Sequence, residues 1–418
     1  MTEPLNNRMK WVSALSTRPS LEAAVQEVVA QAQSTLNAPA DLALVFISAA
    51  FASEYSRLMP LLKEALPVPT LIGCNGGGVV GMTSRGIPQE VEAEAAISLS
   101  LAYLPGVKVH AFHISPEALP DLDAPPNRWV ELVGVSPQEN PNFILLADPM
   151  SSGINDLLQG LDFAYPGAVK VGGLASLTSM ESHGSLFCNY KIYREGVVGV
   201  ALTGNMVLET IVAQGCRPIG HPYRVVEGER NVMLKLEEQP DSEGTGTGEK
   251  TPLEALQELF QTLSEEDREL AQNSLFVGIA QTEFKQRLEP GDFLIRNLLG
   301  VDPRVGAIAI GDRVRPGQRI QFHLRDAHAS AEDLKTLLER YQQQHVDAGA
   351  AVGALMFSCV GRGEGLYGEP NFDSHLFQQY LKNIPLSGFF CGGEIGPVGG
   401  STFLHGYTSV FGICREPG

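Results

Sequence analysis

Ala43-Leu44-Val45-Phe46-Ile47, then Leu58 to Leu66, then Gly73-Cys74-Asn75-Gly76-Gly77-Gly78, then Ala96-Ile97-Ser98-Leu99-Ser100-Leu101: this stretch reads as an apolar strand, a helix, a glycine turn and a second apolar strand. The same unit recurs at Phe143-Ile144-Leu145-Leu146, Ile154 to Leu161, Val171-Gly172-Gly173-Leu174-Ala175-Ser176 and Val197 to Leu202. A third closes the chain, as Ala354-Leu355-Met356-Phe357, His375 to Leu381, Cys391-Gly392-Gly393-Glu394 and Ser409-Val410-Phe411-Gly412-Ile413. With Gly73, Gly172 and Gly392 taken as equivalent turn glycines, the third unit is longer, and the extra residues fall in Val360-Gly361-Arg362-Gly363-Glu364-Gly365 and its sequel. Paired glycines at strand ends imply constrained turns, and turns on a rigid scaffold are favoured binding positions.

Outside these units, Leu21, Ala24, Val25, Val28, Val29, Ala32 and Leu36 form one helical stripe after Ser20. Glu237 to Lys250, acidic and glycine-rich, interrupts all apolar periodicity and reads as a flexible linker. Thr251-Pro252-Leu253-Glu254 follows with capping-box spacing, and Ser330-Ala331-Glu332-Asp333 is expected to cap a helix carrying Leu334, Leu337, Leu338 and Tyr341. Short strands alternating with helices predict an α/β (α+β) protein, two domains of mixed β-sheet with packed helices, divided as 1–236, the linker 237–250, and 251–418.

With 418 residues and 44% hydrophobic content, the chain can bury more than one core. A net charge of −18 disfavours non-specific binding to nucleic acid or anionic lipid. With no apolar run of membrane-spanning length and no basic leader before one, a cytoplasmic protein is expected. Six cysteines without C-x-x-C spacing suggest reduced thiols, with neither a zinc site nor a disulfide framework, and no cofactor or metal is expected.

Gly76-Gly77-Gly78-Val79-Val80-Gly81 matches G-x-G-x-x-G, but Met82 to Pro88 is a poor helix to receive a pyrophosphate. Gly248-Glu249-Lys250-Thr251 lacks the Gly-Lys pair of a phosphate loop. Arg217, Arg296, Arg325 and Arg362 stand in apolar or glycine-rich settings, where a guanidinium requires a carboxylate or phosphate partner. The internal candidates are Asp148, Asp326 and Glu394, and a ligand carboxylate is the other option. Cys359 with His405 and Glu394 has the composition of a nucleophile, base and orienter.

Lys10-Trp11-Val12-Ser13-Ala14-Leu15-Ser16-Thr17, Leu71-Ile72-Gly73-Cys74, Gln214-Gly215-Cys216-Arg217-Pro218-Ile219-Gly220 and Phe293-Leu294-Ile295-Arg296-Asn297 resemble segments of the FIST family. So do Phe357-Ser358-Cys359-Val360-Gly361-Arg362-Gly363 and Phe390-Cys391-Gly392-Gly393-Glu394-Ile395-Gly396-Pro397. The resemblance spans nearly the whole chain, FIST N-like to about residue 236 and FIST C-like from about 251. It implies a sensory module for small ligands, amino acids among them, that acts alone or fused to signalling domains; eukaryotic relatives occur in F-box proteins. The short segment before the first strand and the end soon after Cys414 suggest a stand-alone form.

The expected site is therefore built by the C-terminal turns, from Cys359, Gly361, Arg362, Cys391, Gly393, Glu394 and His405, with Arg325 as an anion clamp. Its expected ligand is an amino acid or small carboxylate, with a signalling protein as possible partner. A cysteine-dependent hydrolase or amidase using Cys359, His405 and Glu394 is the alternative, and a ligand-independent interaction scaffold is another.

Overall fold

The computed structural model describes residues 8–177, 184–239, 248–281, 285, 288, 290–345 and 350–417. The first repeat comprises β1 (Lys10–Ser16), α1 (Leu21–Leu36), β2 (Leu42–Ser48), α2 (Tyr55–Ala65), β3 (Thr70–Gly76), β4 (Gly78–Met82), β5 (Pro88–Glu92) and β6 (Ile97–Tyr103). The second comprises β7 (Val107–Ile114), α3 (Pro126–Val133), β8 (Asn142–Ala147), α4 (Ile154–Ala164), β9 (Lys170–Leu174), β10 (Leu186–Cys188), β11 (Lys191–Tyr193) and β12 (Val197–Gly204). The third begins with β13 (Val207–Ala213) and is then interrupted.

The interruption is a compact unit of its own, Ala213–Leu334, while Met1–Val212 and Lys335–Gly418 form the other unit. It contains β14 (Cys216–Glu229), β15 (Val232–Glu238), β16 (Glu249–Lys250), α5 (Pro252–Thr262), α6 (Glu265–Ala271), β17 (Leu275–Ala280), β18 (Phe293–Asp302), β19 (Ala307–Ile310) and β20 (Arg319–Arg325). These strands make one seven-stranded sheet in the order β14-β20-β17-β18-β19-β15-β16. Compactness thus groups the chain differently from a division at 237–250. Leu236 and Glu237 pair with Lys250 and Glu249, so both ends of that segment belong to one sheet, and residues 240–247 lie outside the described residues. The Thr251 capping box forms as expected.

The third repeat resumes with α7 (Ala327–Gln344), β21 (Ala351–Cys359), α8 (Glu364–Tyr367), α9 (Phe372–Tyr380), β22 (Leu386–Cys391), β23 (Glu394–Val398), β24 (Ser401–His405) and β25 (Ser409–Arg415). Helix α7 starts three residues before the expected cap. The Asp326 carboxylate accepts the Ala329 N–H at 2.6 Å, and the Ser330 hydroxyl, inside the helix, donates instead to the Gly215 carbonyl at 3.0 Å.

All three repeats build the same sheet. The first and second long strands are parallel with a helical crossover, and the return strand pairs antiparallel with the first, giving β1-β6-β2-β3, β7-β12-β8-β9 and β13-β25-β21-β22. Each is then extended by a hairpin from another repeat. β10–β11 adds to β3, β23–β24 adds to β9, and β4–β5 adds to β22, closing a cycle of exchanged hairpins. Helices cover the outer faces, with Val25, Val28 and Leu58 packed on the first sheet and Trp129, Leu157 and Leu161 on the second. The inner faces share one core containing Phe46, Cys74, Leu146, Val171, Phe357, Phe389 and Cys391. Phe46 stacks on Phe389 with centroids 5.0 Å apart. A fully buried side chain of this size stabilises by about 1.5–3 kcal/mol, so the shared core ties the repeats together.

Register corrects the alignment of the glycines. Val45 faces Gly73, Leu145 faces Gly172 and Met356 faces Gly388, so Gly388 is the third equivalent rather than Gly392. The expected extra segment between β21 and α9 is present and holds α8.

Candidate functional site

From the glycine equivalence the turn positions follow as Asn75, Leu174 and Phe390, and two residues on as Gly77, Ser176 and Gly392. Their backbones form a closed ring. Gly77 N–H donates to the Phe390 carbonyl at 3.0 Å, Gly392 N–H to the Leu174 carbonyl at 3.0 Å, and Ser176 N–H to the Asn75 carbonyl at 3.3 Å. Side chains reinforce it, because the Asn75 amide donates to the Ser176 carbonyl at 2.6 Å and accepts the Ser185 N–H at 2.7 Å, and the Ser176 hydroxyl donates to the Phe390 carbonyl at 2.8 Å. The carboxyl ends of the three parallel strand pairs therefore meet at one junction, the end of α/β sheets at which ligands characteristically bind.

Backbone symmetry at this junction carries asymmetric chemistry. Ser48, Asp148 and Cys359 occupy equivalent positions at the ends of matched strands, and their N–H groups donate to Ala96, Gly196 and Thr408 carbonyls at 3.0, 2.9 and 2.9 Å. Ser48 turns its hydroxyl back to the Glu94 carbonyl. Asp148 accepts the Gly184 N–H at 2.8 Å and the Ser151 hydroxyl at 2.9 Å. Glu394, fully buried, accepts the Thr408 N–H at 3.0 Å. Strand β9 lies between β8 and β23, so Asp148 and Glu394 flank it from both sides, with Glu394 opposite Gly173.

The structure gathers part of the expected site. Cys359 and Cys391 face each other in register on β21 and β22, and Thr408 links Cys359 to Glu394 through its carbonyl and N–H. Gly361 N–H approaches the Cys359 sulfur at 3.4 Å. Burial pushes the Cys391 thiol well up, with Glu394, Cys74 and Cys359 adding to the shift. Gly393 supplies its carbonyl to the Leu174 N–H at 2.8 Å. His405 faces Glu394 across β23–β24, with Nε2 at 3.0 Å from the Gly396 carbonyl.

The two arginines make contacts of their own. Arg325 lies on β20, opposite Cys216, in the other unit. Arg362, 1% exposed, makes a two-pronged ion pair with Asp373, Nε to Oδ2 at 2.8 Å and NH2 to Oδ1 at 3.0 Å. Arg217 pairs with Asp267 and Asp326, and Arg296 with Asp312. Internal pairing is thus the observed arrangement for these three, though Asp373 was not among the carboxylates the sequence suggested.

Asp373 belongs to a buried cluster that sequence reading missed. Tyr367 donates to its Oδ1 at 2.8 Å, and Ser358 lies at 3.4 Å from Oδ2. Glu90 sits nearby on β5, its Oε1 accepting the Ser374 N–H at 2.7 Å while Oε2 meets no hydrogen-bond partner among the described residues. Burial, with the Asp373 charge second, pushes the Glu90 carboxyl up to about 8. A glutamate in the strand Pro88-Gln89-Glu90-Val91-Glu92 was the available signal, but alternation alone cannot tell a hairpin covered by α9 from one facing water.

Gly76 to Gly81 leads into strand β4 and not a helix, so no dinucleotide fingerprint forms there. Among the described residues no group of His, Cys, Asp or Glu is placed to hold a metal ion, and no helix is long and apolar enough to cross a membrane.

Fold and junction together define a three-repeat α/β protein with a polar centre at its strand ends and a β-rich unit inserted in the third repeat. Family comparison gives the same chain a FIST N domain at residues 41–239 and a FIST C domain at 252–397. The chain belongs to the FIST family, whose domains are associated with sensory signal transduction. It is 34% identical over 96% of its length to an uncharacterized protein of Mycobacterium tuberculosis strain H37Rv, covering 98% of that protein. An uncharacterized protein of Mycobacterium bovis is 32% identical over 95% of this chain and 96% of its own. An F-box/LRR-repeat protein of Arabidopsis thaliana is 30% identical over 24% of this chain and 22% of its own.

Proposed function

We propose that this FIST protein is a cytoplasmic small-ligand sensor whose ligand, an amino acid or similar small carboxylate, is read at the junction of the three turns and whose occupancy alters contacts with a signalling partner. The observation that carries this reading is the closed hydrogen-bonded ring of Asn75–Gly77, Leu174–Ser176 and Phe390–Gly392, flanked by the carboxylates of Asp148 and Glu394. Carboxylates suit a ligand ammonium. Arg362, held by Asp373, supports the loop after β21 rather than clamping the ligand.

Hydrolase chemistry through Cys359, His405 and Glu394 has less support, because His405 Nε2 is turned to the Gly396 carbonyl. A thermal-shift screen of amino acids and small carboxylates tests the proposal. A ligand at about a hundred times its dissociation constant adds about 2.7 kcal/mol, which should appear as a clear rise in melting temperature. No hit, alongside ligand-independent capture of a protein partner, would favour a scaffold.

A further inference from the structure

A second location has the makings of a binding site. The turn joining β4 to β5 and the start of α9 enclose a cleft of about 300 Å³, lined by Thr83, Arg85, Ile87, Pro88, Asn371 and His375 among others. Such a volume lies at the lower end of the range for small-molecule pockets. Arg85 and His375 have exposed side chains with no ion-pair partner among the described residues, in contrast to Arg57 and Arg362, which are paired to carboxylates. The turn is well formed: Thr83 N–H donates to the Ile87 carbonyl at 2.9 Å, Gly86 N–H returns to the Thr83 carbonyl at 2.9 Å, and the Gln378 amide of α9 donates to the Gly86 carbonyl at 3.0 Å. Across the cleft, the Asn371 side chain accepts the Glu90 N–H at 2.6 Å, joining the wall to the buried Glu90–Asp373 cluster.

We propose that this cleft binds a small monocarboxylate with an apolar body. The Arg85 guanidinium matches a carboxylate with two parallel donors, and the His375 ring supplies an N–H in either protonation state. Ile87, 46% exposed, and Pro88 form an apolar wall that gains only from an apolar ligand body. Phosphate would leave that wall uncovered and would meet one guanidinium where a dianion calls for more. This site is separate in sequence from the junction of the turns, and it does not depend on the ligand proposed there.

Benzoate is a suitable probe, titrated into the full chain and followed by saturation-transfer NMR, with inorganic phosphate as competitor. Saturable binding is expected, weakened about tenfold or more in Arg85→Ala and measurably in His375→Ala, since a hydrogen bond to a charged group is worth at least that factor. Glu394→Gln should leave benzoate binding unchanged, which separates this site from the junction. Absence of saturable binding, equal affinity in Arg85→Ala, loss of binding in Glu394→Gln, or displacement by equimolar phosphate would overturn the proposal.

Discussion

Gly388 lies so close under the Met356 carbonyl of the neighbouring parallel strand that a Cβ on it would come within 1.8 Å of that oxygen. The same approach occurs at Gly73 over Val45 and Gly172 over Leu145, at 2.0 and 1.7 Å. A backbone oxygen cannot withdraw without parting the two strands, so Gly388→Ala should cost about 3 kcal/mol or more. Gly392→Ala, whose Cβ would meet the Ala175 carbonyl at 3.2 Å, should cost under about 1.5 kcal/mol. Urea unfolding of both variants decides it, and equal losses would refute the equivalence of the three glycines.

Removing the Arg362 side chain leaves the Asp373 carboxylate buried without its guanidinium. Arg362→Ala should therefore lose about 3–5 kcal/mol, and Arg362→Lys should recover only part, since an ammonium cannot make the two-pronged contact. A wild-type unfolding midpoint for Arg362→Ala would contradict the ion pair.

The raised Glu90 carboxyl gives a pH dependence of definite sign. The folded protein holds this proton up to about pH 8 while the unfolded chain releases it near the ordinary glutamate value of about 4.3. Stability from this group is complete below the unfolded value and is lost as pH rises towards 8. Glu90→Gln, which keeps the shape without a charge to bury, should flatten that decline and be more stable than wild type at pH 8. Parallel profiles of denaturation midpoint against pH for the two proteins would count against it.

Much of this architecture is visible in the sequence, for reasons that can be named. Leu21, Ala24, Val25, Val28, Val29, Ala32 and Leu36, expected as one stripe, are all buried on α1. The repeating strand-helix-turn-strand unit is likewise written in local periodicity. Hairpin exchange is not, because pairing of β10 with β3 or β4 with β22 joins segments far apart in sequence with nothing local to mark the partner. The inserted unit was obscured for a similar reason: β13 and α7 belong to one repeat but are separated by a whole sheet. Near the junction, Cys359, Cys391 and Glu394 could be named from the sequence because each lies where an apolar strand meets a glycine-rich turn. That Asp148, Ser176 and Asn75 meet at one junction emerges only when the repeats are superposed by register, and Asp373 enters only when burial shows where Arg362 goes.

Thiol reactivity should follow burial. Cys74 and Cys391 have their thiols pushed well up by burial, and that of Cys414 lies at about 12. All three should resist iodoacetamide at pH 8 in the folded protein and react in guanidinium, as peptide mass mapping would show. Rapid alkylation of Cys391 in the native state would mean that the core beneath the junction opens.

Calorimetric titration of an amino-acid hit into wild-type protein and Glu394→Gln tests the central claim most directly. The Gln side chain retains an acceptor for the Thr408 N–H, so the fold should persist while the carboxylate proposed to meet the ligand is removed. One site per chain in wild type, weakened about tenfold or more in Glu394→Gln, is the expected result, since a hydrogen bond to a charged group is worth at least that factor. Unchanged affinity and stoichiometry in Glu394→Gln would contradict a ligand site at the junction of the three turns.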